Sequence, residues 1–217
     1  MCVGSCGANF ALRRQSIGEV AEIELQMYNT EQMMIEEQKP NKLTETAILP
    51  MQCYMPLILD PCCGGRQFWF DKSNPDVLFC DVRVMEPKVV GSGKDARVRK
   101  CLPDRVMDFR NMDLPDETFR LVVFDPPHLF LGENSFMAQS YGRLDKQTWK
   151  DDLRRGFAEC FRVLKDEGIL IFKWNECDVP LKDVLALTEH KPLFGHPSGK
   201  AQKTHWVTFM KRSANGI

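Results

Sequence analysis

From residue 56 onward, short continuous apolar runs punctuate the chain. Residues 57–59 form the first, ending in Asp60-Pro61. Residues 77–80 form the second, ending in Asp81, and residues 121–124 the third, ending in Asp125-Pro126. A fourth, residues 169–172, is opened by Gly168. Apolar runs of this length without polar alternation predict strands buried on both faces, as in a parallel sheet. Between the third and fourth, residues 147–164 set Leu153, Phe157, Cys160, Phe161 and Leu164 on one side of a helix. A second helix is predicted over residues 181–189 and a last strand over 205–211. Strands alternating with helices predict an α/β sheet with right-handed crossovers.

Residues 1–55 differ in character. Residues 17–38 read as a helix with a ragged apolar stripe, among many Glu and Gln side chains. The zone up to Leu59 holds four Lys or Arg against seven Asp or Glu. The expected organisation is therefore an N-terminal extension, partly helical, over 1–55 and one folded domain over 56–217.

Each of the first three strands ends in an acid, and in open α/β sheets ligands bind beyond the carboxyl ends of the strands. After the first comes Asp60-Pro61-Cys62-Cys63-Gly64-Gly65. A glycine pair there lets the backbone turn tightly and approach a ligand closely; the G-x-G-x-x-G spacing of dinucleotide sites is absent. After the second come Asp81, Val82 and Arg83: an acid placed to accept both hydroxyls of a ribose, or to pair with Arg83. After the third comes Asp125-Pro126-Pro127-His128. Two prolines fix two φ angles and remove two N–H donors. The carboxylate and the exposed carbonyls then form a cluster of acceptors suited to a neutral amino group.

Taken together, these segments resemble the class I methyltransferases that use S-adenosylmethionine (SAM). Asp125-Pro126-Pro127-His128 is similar to the D/N-P-P-Y/F signature of the amino methyltransferases, which include DNA N6-adenine enzymes. Residues 108–115, followed by Phe119 and Asp125, are similar to the stretch joining the third and fourth strands of that family. The resemblance spans roughly residues 56–212. It implies a Rossmann-like sheet, mostly parallel, with helices on both faces and a C-terminal antiparallel hairpin over 191–194 and 205–211. It implies SAM as cofactor: Asp60, Pro61, Cys62, Gly64 and Gly65 at its methionine part, Asp81 with Val82 and Arg83 at the ribose, Asp108 and Phe109 at the adenine. Asp125 and the Pro126 carbonyl would hold the target nitrogen, with Pro127 shaping the turn. The family's fourth motif position is an aromatic that stacks on the target base; here it is His128, which can stack but can also protonate.

Residues 129–146 carry few helix or strand signals and read as a lid or substrate loop. Residues 82–110 hold eight Lys or Arg against four acids; residues 191–212 hold five and no acid, with Trp206 among them. Basic groups interleaved with aromatics can hold phosphates and bases. The net charge of -1 places any such field in local patches. The expected substrate is thus a nucleic-acid base, DNA before RNA, with adenine N6 the first candidate. A protein side-chain amide, a small-molecule amine, or a non-catalytic SAM-binding interaction role are the alternatives. Nine cysteines without regular spacing suggest reduced thiols in the cytoplasm. The Cys2 and Cys6 pair lacks a second pair at metal-ligand spacing, so no metal is expected. The most apolar stretch, near residues 49–59, is too short and interrupted to span a membrane.

Overall fold

The structure, a computed structural model, describes Gln26, residues 55–132 and residues 135–212. The helix expected over 17–38 and the Cys2–Cys6 pair lie outside the described residues, except that Gln26 is helical and exposed. Two compact units are distinguished. The described residues 55–85 and 101–212 belong to one, and residues 86–100 to the other. The second holds all but the outer end residues of a two-stranded ribbon, β3 (Met85–Val90) and β4 (Arg97–Cys101), whose strands are linked by a short 3-10 turn.

The first unit is built on a seven-stranded sheet. Its strands are β1 (Ile58–Asp60), β2 (Val77–Asp81), β5 (Arg105–Val106), β6 (Phe119–Phe124), β7 (Leu164–Asn175), β8 (Phe194–Ser198) and β9 (Thr204–Met210), in the order β5-β2-β1-β6-β7-β9-β8. The pairs β2–β5, β1–β2, β1–β6 and β6–β7 are parallel. β9 runs antiparallel to both β7 and β8. The sheet is therefore Rossmann-like and mostly parallel, as the apolar runs predicted, and is closed by the antiparallel hairpin that the family resemblance implied.

Alternation along the strands divides the core. Leu59, Val122, Phe124, Leu170, Phe172, Trp174, Val207 and Phe209 point to one face, where α2 (Trp149–Val163) lays Leu153, Phe157, Cys160 and Phe161 against them. The five-residue helix α3 (Leu181–Leu185) joins the same cluster through Val184. On the other face Cys63, Val77 and Phe79 pack with Ile58 and Trp69. The β1–β2 crossover, residues 61–76, supplies that cover from turns rather than a helix. Its glycines and prolines disfavour continuous helical backbone.

Several boundaries differ from the sequence pattern. β7 extends well beyond 169–172, because Lys173 and Asn175 face away from the core while Phe172 and Trp174 face into it. The hairpin's first strand lies at Phe194–Ser198, not 191–194. Pro197 looks like a turn signal, but β8 is an edge strand and tolerates a residue without N–H. The loop 129–146 contains a short helix, α1 (Phe136–Tyr141), capped by Gly142 at φ +77°. The second predicted helix stops at Leu185 instead of 189. No helix among the described residues is long and apolar enough to cross a membrane.

Candidate active site

In chain order the sheet grows outward from β1, toward β2 and β5 on one side and toward β6 and β7 on the other. Its order therefore reverses between β1 and β6, which opens a crevice beyond their carboxyl ends. Asp60, Asp81 and Asp125 all sit at that rim. Asp60 is fully buried. Its carboxylate accepts from Trp69 Nε1 at 2.8 Å and from the Cys62 N–H at 3.2 Å. Burial outweighs those two bonds, and with the nearby charges of Asp125 and Asp81 the carboxyl is pushed up to about 7. Gly64 turns the backbone at φ +49°, a conformation that disfavours side chains, and donates its N–H to Asp81 Oδ2 at 3.0 Å.

Asp81 is also buried. Besides Gly64 it accepts from Arg83: the backbone N–H and Nε both reach Oδ1 at 2.9 Å, and Nη2 reaches Oδ2 at 2.8 Å. Four bonds fill a carboxylate's acceptor positions. The pairing with Arg83 that the sequence allowed is thus present, as a bidentate pair on a buried carboxylate, with the Arg83 side chain 23% exposed. A ligand hydroxyl can reach Asp81 only where Arg83 yields part of this bond. Arg83 Nη1 is buried with no hydrogen-bond partner, which leaves it as a donor for a ligand oxygen.

Val82 and Arg83 form one wall of a cavity of about 670 Å³. Asp108 and Phe109 form another, Pro127 borders it, and Leu144, beyond α1, helps close it. Asp108 is held bidentately by Arg110, at 2.7 Å for the shortest contact, and Arg110 reaches on to Asp152 of α2 at 3.0 Å. The bonds from Arg110 hold the Asp108 carboxyl below its ordinary range. Arg162 ties the same loop to α2 by donating to the carbonyls of Met112 and Leu114.

Asp125 lies on the face away from α2. Its Oδ2 accepts from Lys173 Nζ at 2.6 Å. His128 turns back toward the core: its ring meets Trp174 edge-on at 6.0 Å, and Nδ1 lies 3.4 Å from the Pro126 carbonyl. Burial lowers its pKa, so the imidazole is neutral at pH 7. The structure thus brings Val82, Arg83, Asp108, Phe109 and Pro127 to one cavity. Asp60, Pro61, Cys62, Gly64, Gly65, Asp81, Asp125, Pro126 and His128 stand along the rim beside it without lining it. Sequence reasoning missed Lys173, Arg110, Trp69 and Phe68. Only Lys173 carried a signal, as the cation that directly follows the apolar run 169–172.

No family model matches the chain, and no curated protein matches it. Among solved structures, the PH0226 protein of Pyrococcus horikoshii OT3 is 13% identical with a TM-score of 0.47, aligning 88% of this chain with 92% of that one. A SAM-dependent methyltransferase from Methanosarcina mazei is 12% identical, TM-score 0.43, over 71% of this chain and 92% of that one. A TehB-like SAM-dependent methyltransferase from Corynebacterium glutamicum is 13% identical, TM-score 0.42, over 90% of this chain and 100% of that one. At such scores the assignment of the fold rests on this chain's own strand order.

Proposed function

We propose that this protein is a SAM-dependent methyltransferase acting on an exocyclic amino nitrogen of a nucleic-acid base, with adenine N6 in DNA the first candidate. The observation that carries this reading is the Asp125-Pro126-Pro127 turn at the reversal point of the sheet, beside a cavity walled by the segments that follow β2 and β5. The residues fit the cofactor. Val82, Phe109 and Leu144 offer apolar surface for a purine. Arg83 Nη1 is a buried donor without a partner, and the Gly64 turn, with no side chain, admits close approach. The six described cysteines are all free, which suits a reducing compartment, and we place the protein in the cytoplasm.

When bound, SAM supplies an already activated methyl group, so the protein's task is to position the nucleophile. An amino group conjugated to a ring has its lone pair delocalised. Hydrogen bonds from that group to Asp125 and to the Pro126 carbonyl favour a pyramidal nitrogen and stabilise the positive charge that develops as the bond forms. Pro127 fixes the carbonyl's direction. No strong base is required before attack.

Tritiated SAM offered with DNA, RNA and protein, followed by nuclease or protease, identifies the labelled class. Label confined to protein would overturn the nucleic-acid reading. Asp125→Ala is expected to lower transfer at least about 100-fold while calorimetry shows SAM binding largely retained. Activity within a few-fold of wild type would make the turn structural.

A further inference from the structure

The rim of β6, β7 and β9 carries a cluster that does not line the cavity. Along β7, Phe172 and Trp174 point into the core and Lys173 to the opposite face, where the sheet register sets it across from Trp206. Lys173 Nζ bonds Asp125 Oδ2 at 2.6 Å, with the two side chains 24% and 17% exposed. The same Nζ lies 5.5 Å from the centre of the Phe68 ring and 5.7 Å from that of Trp206. Those two rings meet edge to face, 5.5 Å apart at 86°. An ammonium therefore stands in the angle between two aromatic rings, next to the carboxylate assigned to the acceptor.

This placement has two chemical consequences. Asp125 alone would attract any cationic amine; the paired ammonium cancels that attraction and repels a protonated aliphatic amine. Lys173 has three donors and uses one on Asp125. An acceptor (Asp125) and a donor (Lys173) thus stand side by side, the complement of an N–H and a ring nitrogen separated by one carbon. Adenine presents that pair as N6 and N1, cytosine as N4 and N3. The Phe68 and Trp206 rings add a flat apolar corner for such a base.

Building on the methyltransferase reading, we propose that Lys173 is a specificity-determining residue. It selects a neutral, planar nucleobase whose amino group neighbours a hydrogen-bond-accepting ring nitrogen, and rejects aliphatic amines. The test uses single-stranded oligonucleotides holding one adenine, one 1-deazaadenine, one cytosine or one 3-deazacytosine, with wild type, Lys173→Met and Lys173→Arg.

Wild type should favour the natural base over its deaza partner by at least about tenfold in kcat/KM, the scale of a good base-edge contact. Lys173→Met should bring that ratio near one without weakening SAM binding, and Lys173→Arg should keep part of it. Transfer at equal efficiency to both partners by wild type overturns the role of Lys173 and leaves the methyltransferase reading standing. So does a ratio unchanged in Lys173→Met, or a loss of SAM binding there, which would assign Lys173 to the cofactor. If Lys173→Met fails to fold, the wild-type and Lys173→Arg ratios decide. Absence of transfer to all four oligonucleotides overturns this role of Lys173 together with the nucleic-acid reading.

Discussion

At the scale of single residues, burial sets the protonation of the rim. The unfolded Asp60 carboxyl titrates at its ordinary 3.8 and the folded one at about 7. Between those values the folded state holds a proton that the unfolded chain has released, so stability falls as pH rises through that window. Asp60→Asn removes the titration. Its stability relative to wild type should rise by about 2–3 kcal/mol between pH 5 and pH 8, at 1.36 kcal/mol per unit. Urea unfolding at the two pH values measures this, and a difference that does not change with pH would mean that Asp60 titrates normally.

His128 is shifted the other way: burial keeps it neutral, and its edge rests on Trp174. If it stacks on the acceptor, His128→Phe stays within a few-fold of wild type, while His128→Ala loses roughly tenfold or more, since base–aromatic stacking is worth about 1–3 kcal/mol. Any inflection it gives the pH–rate profile should fall below the reference value of about 6.5. A hydrogen-bonding role would instead leave Phe as poor as Ala. Equal rates in all three proteins would remove His128 from the site.

At the scale of elements, α2 supports the cavity through a glycine. A Cβ on Gly156 would lie 2.7 Å from Phe109 Cδ2 and 2.8 Å from Phe124 Cζ, and Phe109 lines the cavity. Gly156→Ala gains up to about 1 kcal/mol in helix propensity but forces those rings aside, which costs about 1–3 kcal/mol. Thermal and urea unfolding should show a net loss on the order of 1 kcal/mol, and calorimetry weaker SAM binding as Phe109 is displaced. A more stable variant with unchanged affinity would contradict this packing.

For the whole molecule, a ligand that binds only the folded state raises stability by mass action. At 100 times its dissociation constant the gain is about 2.7 kcal/mol. In a domain of this size that corresponds to a rise in Tm on the order of 5–10 °C. SAM is expected to produce it in a thermal melt, and no rise at saturating SAM would sink the cofactor assignment. The near-neutral net charge of -1 leaves any attraction to a polyanion to local groups such as Lys200 and Lys203 between β8 and β9.

Sequence alone determined the parallel strands and the acids at their ends. A strand buried on both faces is a continuous apolar run whatever its neighbours, so β1, β2 and β6 were visible locally, and Asp60, Asp81 and Asp125 followed from where those runs stop. The Asp81–Arg83 pair was equally legible, being two residues apart. β3, β4, β5 and α1 were not, because short, half-exposed elements lack a periodic apolar signature. Only the tertiary structure decided that Lys173 meets Asp125 across 48 residues of chain and that Phe68 and Trp206 frame it. Those facts depend on strand register and on which face a side chain takes. One residue's shift in register reverses that face, so no local pattern encodes them.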